Sequence, residues 1–495
     1  MTMDTAVLTP LEPLPPPAPD LLDRLVLDSR VARGSAEHGR ARELIAHLAH
    51  EVASGSVTVA DNLGVALDAR IAELDELISA QLDEILHHPR FQRLEAAWNG
   101  LHYLCRHAAG GPLQKIAVLD ATQNELVRDF SAAIDFDQSA LFRLVYEEAF
   151  GSFGGAPFGA LVGDYEIGRG PEDLYFVEQM SHVAAAAHAP FIAAASAELF
   201  GLDGFTEIGR PRDLAKVFDT AEYARWKSLR ASEDARYVGL VLPRFLGRLP
   251  YDARHGTGVE GFGYVERVDG SDHSRYLWVN AAYALAARLN AAFAAYGWCA
   301  AIRGVEGGGL VEGLPTHTYR TDDGERALKC PTEVAITDRR EKELADLGFI
   351  PLVHCQNTDY AAFFAAQSVH RPRRYDSDAA NANAALAAQL QYVFSVCRIA
   401  HYLKAMMREK VGSFASAANV EEFLNRWIRQ YVVEDDSATQ ETKAAYPLRE
   451  ASVQVSEMPG RAGAYRAVAF VRPHFQLDEL SVSLRLVAEL APRGT

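Results

Sequence analysis

Residues 296–315 read Tyr-Gly-Trp-Cys-Ala-Ala-Ile-Arg-Gly-Val-Glu-Gly-Gly-Gly-Leu-Val-Glu-Gly-Leu-Pro, and the glycines of this run admit two interpretations. A phosphate-binding loop requires glycines that open a helix and are followed by Lys and by Ser or Thr, whereas Leu310, Val311 and Glu312 follow here. A tight turn fits better, because glycines permit positive φ and the apolar residues 300–302 and 310–311 on either side resemble strands. The run therefore predicts a structural turn between buried strands.

Upstream of this turn, the apolar residues of segment 63–86 recur at steps of three or four, which predicts one helix with a single apolar stripe. Pro89 ends that pattern, and residues 91–104 continue it as a second helix that we expect to pack against the first. The stripe of the first helix consists of Leu63, Leu67, Ile71, Leu74, Ile78, Leu82 and Ile85.

The middle of the chain alternates short apolar runs with helical segments, which predicts an α/β core. Because these runs are apolar at nearly every position, we expect sheets that are covered on both faces. A charged helix over residues 338–347 ends at Gly348. The predicted strands lie at residues 116–119, 160–163, 191–195, 237–242 and 349–353.

The last third of the chain predicts helices over residues 379–410 and 420–431, followed by strictly alternating segments. These segments, residues 451–455, 465–471 and 482–486, read as three short strands that each bury one face. Three short strands form a marginal sheet whose edges accept another strand. The last third of the chain therefore predicts helices followed by a small sheet that is open to further strands.

Composition limits the possible partners of this chain. Its 495 residues carry 66 acidic and 49 basic side chains, a formal net charge of -17, which opposes binding to nucleic acid or to an anionic bilayer. No apolar run is long enough to span a membrane, and no secretory signal precedes the fold, so we expect a cytoplasmic protein. The five scattered cysteines fit a reducing compartment, and we interpret them as buried thiols. Residues 10–20 contain three consecutive prolines and predict an extended tether.

Several sequence segments, together with residues 297–315, resemble the large subunit of the type VI secretion contractile sheath, the VipB/TssC/EvpB family. The resemblance covers roughly residues 60–490. These segments are Ile-Leu-His-His-Pro-Arg-Phe-Gln at 85–92, Gly-Ala-Leu-Val-Gly-Asp-Tyr at 159–165, Arg-Tyr-Val-Gly-Leu at 236–240, Pro-Thr-Glu-Val-Ala-Ile-Thr-Asp-Arg-Arg at 331–340 and Arg-Pro-His-Phe-Gln-Leu at 472–477.

The resemblance implies a non-enzymatic sheath protomer without a cofactor or metal. Such a protomer pairs with a small sheath subunit, contacts neighbouring sheath protomers and the baseplate, encloses an inner tube of stacked hexamers, and is recycled by an AAA+ ATPase. It also implies an arm over residues 1–60, a helical hairpin and α/β sheath core over 61–375, and an inner-wall domain with exchange strands over 376–495. The arm and the C-terminal strands of neighbouring protomers would share one sheet.

We assign two sets of interface residues on this basis. Strand exchange is assigned to Val453, Val455, Val468, Phe470, Val482 and Leu484, with Leu25, Val26 and Leu27 as a candidate arm strand. The basic loop of Arg371, Arg373 and Arg374 stands out in an acidic protein. It is either a solvated loop or the contact with the inner tube.

Two other classes of protein stay open at this point. A cytoplasmic enzyme could use the Gly307 to Gly313 turn and a dyad of His354 and Cys355 at the end of a strand, where α/β folds place their chemistry. A buried cysteine beside a hydrogen-bonded histidine is the simpler interpretation of that pair. A static scaffold would assemble without ever changing its lattice.

Overall fold

The structure is a computed structural model, which describes residues 20–29, 35–55, 63–108, 110–111, 113–210, 213–252, 262–268, 270, 272–321, 323–410, 413, 416–435, 437–458, 464–474 and 476. The chain forms two compact units, one from Met1–Glu84 with Tyr251–Glu266 and one from Ile85–Pro250 with Arg267–Thr495. No helix within the described ranges combines the length and the apolarity needed to cross a bilayer.

The mixed α/β class predicted from the sequence is confirmed. The helices are α1 (Leu21–Ser29), α2 (Ser35–Ala53), α3 (Leu63–Leu86), α4 (Pro89–Arg106), α5 (Gln123–Ala132), α6 (Ala140–Phe142, continued by a π-helix over Arg143–Gly151), α7 (Pro171–Ala187), α8 (Leu214–Phe218), α9 (Ala224–Ala231), α10 (Ala281–Tyr296), α11 (Asp338–Asp346), α12 (Asp378–Ala387), α13 (Leu390–Lys410), α14 (Ala417–Ile428) and α15 (Gln440–Ala445). The strands are β1 (Leu161–Ile167), β2 (Phe191–Ala195), β3 (Val238–Leu242), β4 (Phe245–Leu246), β5 (Trp278–Val279), β6 (Leu310–Val311), β7 (Thr318–Arg320), β8 (Arg326–Leu328), β9 (Ile350–His354), β10 (Ala361–Phe363), β11 (Leu448–Glu457) and β12 (Tyr465–Pro473).

The smaller unit contains α1, and this helix corrects one prediction. Leu25, Val26 and Leu27 were expected to form an arm strand, but they lie in the middle of α1. Helix suits this segment because Leu22 and Val26 are one turn apart, and the Asp20 carboxylate accepts a hydrogen bond from the first helical N–H at 2.7 Å. Val26 is buried, whereas Leu27 is exposed.

The predicted helix over residues 63–86 is confirmed as α3, but its stripe is not a core face in the described part of the chain. Ile71, Leu74 and Ile78 are all exposed. Apolar periodicity predicted this helix correctly because a helical period depends on local spacing alone. It gives no information about which element covers the stripe.

The larger unit is built on a six-stranded sheet in the order β1-β2-β3-β9-β10-β6. The first four strands are parallel, and β10 runs antiparallel to both β9 and β6. Every residue of β2 and β3 is buried. Alternate residues of these strands belong to two apolar cores, one that includes α7 and one that includes α10, so both faces of the sheet are covered. The expectation of sheets covered on both faces is confirmed.

Two of the predicted strands are wrong. Residues 116–119 have no regular secondary structure and belong to none of the described sheets, and their side chains are exposed. Residues 300–302 are largely buried but form no strand. An apolar run is compatible with a strand, but strand pairing depends on a partner that is distant in sequence.

The glycine run is a tight turn held on the antiparallel edge of the sheet, which confirms the turn interpretation. Gly304 N–H donates to the Phe363 carbonyl at 2.7 Å, and Phe363 N–H donates to the Gly309 carbonyl at 3.0 Å. Gly308 has a φ of 89°, and a Cβ placed there would lie 2.3 Å from the Ala301 carbonyl oxygen. The glycine hydrogen is therefore required by the fold of the loop itself.

Helix α13 connects the α/β core to the C-terminal region. Its first half contributes Leu390 and Phe394 to the core beneath the sheet, and its second half contributes Ile399 and Leu403 to a separate core. This second core also contains residues of α14, β11 and Trp298 from the glycine-rich segment. The C-terminal hairpin is thus packed on the same unit as the turn.

Candidate assembly interface

The C-terminal sheet is a two-stranded antiparallel hairpin with one packed face and one exposed face. Val453 of β11 is 1% exposed and packs with Leu424 and Ile428 of α14. On the opposite face, Val468 and Phe470 of β12 are each 57% exposed. Large apolar side chains on a solvent face are characteristic of a contact surface for another chain.

Side chains of α14 cover the outer edge of β11. The Asn425 side chain accepts from Val453 N–H at 2.9 Å and donates to the Val453 carbonyl at 2.6 Å. The Glu421 carboxylate accepts from Val455 N–H at 2.8 Å. These bonds satisfy the backbone groups with which a strand would otherwise pair, so this edge is protected.

The outer edge of β12 differs from that of β11. Val453 pairs with Ala469 and Val455 with Ala467. The Val453 N–H and carbonyl bond to α14 and not to β12, so Val453 and Ala469 are a non-hydrogen-bonded pair of the hairpin. In such a pair the backbone groups of both residues point away from the partner strand, so those of Ala469 point to the free side of β12. Within the described residues, no hydrogen bond covers this outer edge of β12 at Ala467 or Ala469.

The chain beyond β12 is fastened to the glycine-rich segment by Gln476. Its side-chain amide donates to the Ala300 carbonyl at 3.0 Å, and its side-chain oxygen accepts from Arg303 Nε at 3.1 Å. Its backbone N–H donates to the Tyr392 hydroxyl at 3.0 Å. Two of the sequence segments that resemble the sheath family, residues 297–315 and residues 472–477, are therefore in contact.

The basic loop before α12 presents Arg371, Arg373 and Arg374 as exposed side chains. Among the described residues, none of the three guanidinium groups forms an ion pair. The Arg371 N–H donates to the carbonyl of the buried Arg230 at 2.7 Å, which ties the loop to α9. Burial, with Arg371 as a further positive charge, lowers the pKa of Arg230 to about 10. The loop is a fixed positive surface in an acidic protein.

The alternative of a catalytic dyad between His354 and Cys355 is not formed. His354 Nε2 donates to the Thr358 carbonyl at 2.8 Å, so the ring is bonded within its own loop rather than to Cys355. Cys355 has no such partner, and burial raises the pKa of its thiol. The simpler interpretation of this pair therefore holds for the histidine, which is hydrogen-bonded, whereas Cys355 is half-buried rather than fully buried.

The five cysteines are all free, and the expectation that they are buried holds for Cys397 but not for Cys105, which is exposed on α4. No group of three or more His, Cys, Asp or Glu side chains in the described part of the chain is arranged to hold a metal ion.

The other predicted interface residues differ in position. Val453 and Val455 lie on the protected strand, and Val468 and Phe470 lie on the exposed face of the hairpin. Val482 and Leu484 lie outside the described residues. The residues that sequence reasoning missed are Asn425, Glu421 and Gln476. The one available signal for Asn425 was an Asn inside a helix, where its propensity is poor, next to the apolar stripe of Val420, Leu424 and Ile428.

Comparison with known proteins gives consistent results. Residues 68–370 match the model of the EvpB/VC_A0108 tail sheath N-terminal domain, and residues 379–490 match that of the EvpB/VC_A0108 tail sheath gpW/gp25-like domain. The chain is 50% identical over 427 residues to the type VI secretion system sheath protein TssC1 of Pseudomonas aeruginosa, covering 86% of each protein.

Two solved structures also show similarity at a low level. A chain in the baseplate of the anti-feeding prophage aligns with a TM-score of 0.36 and 8% identity, over 64% of this chain and 66% of that one. A chain in the contracted helical sheath of the same particle aligns with a TM-score of 0.30 and 10% identity, over 63% and 66%. The two family models and the 50% identical relative show that this chain belongs to the EvpB/VC_A0108 tail sheath family.

Proposed function

We propose that this chain is the large subunit of the contractile tail sheath of a type VI secretion system. In this proposal it pairs with a small sheath subunit in the cytoplasm, polymerises around an inner tube, docks on a baseplate and contracts to drive the tube outward. The observation that carries the proposal is the match of both sheath-domain models, which together span residues 68–370 and 379–490. The chain would act without a cofactor, nucleic acid, membrane insertion or catalytic site.

Polymerisation would proceed by strand addition at the hairpin. The protected edge of β11 favours β12 as the strand that receives a neighbour, with Val468 and Phe470 packing against the incoming chain. Residues 376–495 would form the inner-wall domain. Residues 482–486 and the 1–60 arm would take part in the strand exchange, with residues 25–27 excluded as an exchanged strand because they lie in α1.

Contraction would require two packings of the same protomers. The interface is heterologous, so repetition generates a helical tube rather than a closed dimer. A difference of about 1 to 2 kcal/mol per protomer between the two lattices, which is the scale of one buried side chain, would sum over the whole tube. Rigid cores would move while strand linkages keep neighbours connected. An AAA+ ATPase would recycle the contracted sheath, and no residue here is assigned to it.

The first test is electron microscopy of this chain co-expressed with its small sheath subunit. We expect long tubes from the wild type and discrete particles from Ala469→Pro, because proline removes the outward N–H without disturbing the bonds between β11 and β12. Ala469→Val is the matched control, since it adds bulk but keeps the N–H, and it should form tubes. Discrete particles from the wild type would contradict the sheath function, and normal tubes from Ala469→Pro would contradict strand addition at β12.

The basic loop is proposed as a contact with the inner tube. Reversal of charge at Arg371, Arg373 and Arg374 should leave sheath pairing intact but abolish co-assembly with the tube protein. Arg128→Glu, at an exposed position on α5, is the control. Unchanged co-assembly of the loop variant would remove the loop from the interface. A preparation that contains both extended and contracted tubes would exclude a static scaffold.

A further inference from the structure

Residues 115–120, between α4 and α5, form an apolar segment without regular secondary structure. All six residues are exposed, and Ile116, Val118 and Leu119 are 40%, 68% and 52% exposed. Within the described residues, no hydrogen bond joins the backbone N–H or carbonyl groups of this segment to another protein group. A run of β-branched and leucine side chains with an unbonded backbone has the character of a strand without a neighbour.

Both ends of this segment are fixed to the α/β core. The Gln114 side-chain amide donates to the Asn290 carbonyl of α10. At the other end, the Ala121 carbonyl accepts from the Tyr165 hydroxyl of β1 at 2.7 Å, and Thr122 then caps α5. A segment held at both ends loses less conformational freedom when a partner binds it, so this backbone is prepared for strand addition.

An apolar groove of about 280 Å³ opens beside the C-terminal end of the segment. Its lining leucines are two exposed ones, Leu119 and Leu144, and two buried ones, Leu126 and Leu141. The volume is below the roughly 300 to 1,000 Å³ of small-molecule sites. The groove therefore suits one or two side chains of a bound segment rather than a small ligand.

The charge of this groove is negative. Glu125 and Asp129 line it, and no lysine or arginine is among the described residues of the lining. The Glu125 carboxylate is fixed by the Thr122 N–H at 2.8 Å. The Asp129 carboxylate is fixed by the Ala140 N–H at 2.9 Å. Because two fixed carboxylates adjoin apolar walls, the complementary occupant carries an apolar side chain next to a lysine or arginine.

We propose that residues 115–120 and this groove receive an extended segment of the small sheath subunit, with an apolar side chain in the groove and a neighbouring basic side chain facing Glu125. Backbone hydrogen bonds to residues 115–120 give affinity, and the groove sets the register. The inference rests on the sheath function proposed above, because it takes the small subunit as the occupant. A second copy of this chain, with its net charge of -17, is less complementary to the two carboxylates.

The first test is hydrogen exchange followed by mass spectrometry on the full-length chain, alone and co-purified with the small subunit. The amides of residues 115–120 should exchange at least about tenfold more slowly in the complex, because a paired amide exchanges only when the added strand opens. The buried β2 is the internal control and should be protected in both samples. Failure to co-purify would contradict the sheath function. A complex in which residues 115–120 exchange as fast as in the chain alone would overturn this inference only.

Leu144→Asp tests the groove without changing the segment. The new carboxylate would be buried near Glu125 and Asp129 without a partner, so residues 115–120 should exchange at least about threefold faster than in the wild-type complex. Ile134→Asp is the matched control and should keep the wild-type protection, because Ile134 is 92% exposed and does not line the groove. Unchanged protection in Leu144→Asp, or an equal loss in both variants, would overturn the role of the groove.

A photoreactive side chain identifies the occupant. Val118→p-benzoylphenylalanine places the reactive ketone at an exposed position in the middle of the segment. Irradiation of the co-purified complex should give a covalent adduct with the small subunit, which mass spectrometry then maps to one of its segments. An adduct with a second copy of this chain, or no adduct with the small subunit, would overturn the proposed occupant.

Discussion

Replacing Asn425 by alanine tests whether α14 holds the outer edge of β11. The substitution removes two hydrogen bonds to the backbone of Val453, a residue that is only 1% exposed to solvent. Each bond contributes about 0.5 to 1.5 kcal/mol, and a buried backbone group left without a partner costs about 1 to 3 kcal/mol. Because Asn425 is only half-buried, water can replace part of the lost bonding. We therefore expect the free energy of unfolding to fall by about 2 to 3 kcal/mol.

The assay is urea denaturation followed by tryptophan fluorescence, since Trp298 and Trp427 both belong to or pack against the core under the hairpin. Asn419→Ala is the matched control, because Asn419 lies on the same helix but is exposed. The control should change stability by less than about 0.5 kcal/mol. A difference between the two variants below about 0.5 kcal/mol would refute the reasoning.

Asn425→Asp gives a second measurement on the same contact. It keeps an oxygen for the Val453 N–H but places another oxygen against the Val453 carbonyl in place of the donor. We expect a loss of stability at pH 7 at least as large as that of the alanine variant. A smaller loss would show that the bond to the carbonyl contributes nothing.

The remaining predictions concern acid stability and the glycine turn. Burial lowers the pKa of His401 to about 4, so the folded state stays neutral there while the unfolded chain takes up a proton below pH 6.5. The free energy of unfolding should therefore fall by about 3 kcal/mol between pH 6.5 and 4. His401→Gln should reduce this loss, as measured by urea titrations at each pH. The same dependence of the free energy of unfolding on pH in both proteins would contradict the prediction. Gly308→Ala should cost about 3 kcal/mol, since it adds the strain of a φ of 89° to a clash with the Ala301 carbonyl. Gly297 also has a positive φ, 75°, but a Cβ there would meet open space, so Gly297→Ala should lower the free energy of unfolding by only about 1 to 2 kcal/mol. Both glycine variants are compared by urea denaturation, and equal losses would refute the steric argument.

Local patterns in the sequence predicted those features whose causes are local. The spacing of apolar residues gave the limits of α3, and continuously apolar runs located β2, β3 and β9. The glycines of residues 307–309 signalled the turn because only a residue without Cβ fits there. The family resemblance, which rests on long sequence segments, is confirmed by both sheath-domain matches.

The features that sequence did not predict depend on contacts between distant segments. Asn425 and Val453 are 28 residues apart, and Gln476 meets Arg303 across 173 residues. The three apolar residues 25–27 were interpreted as a strand because a triplet is too short to show a helical period. Leu22 and the Asp20 carboxylate, outside the triplet, are what identify the helix.

The fastening at Gln476 has a mechanical consequence. Tension that reaches this chain from residues beyond 476 meets Gln476 before it meets β12, which ends at Pro473. Three hydrogen bonds there, to Ala300, Arg303 and Tyr392, carry such a load side by side rather than one after another. Bonds loaded side by side must break together, whereas the terminal strand of a hairpin can be peeled one pair at a time. Gln476 therefore shields the hairpin from peeling and passes a pulling force directly to α13 and the glycine-rich segment.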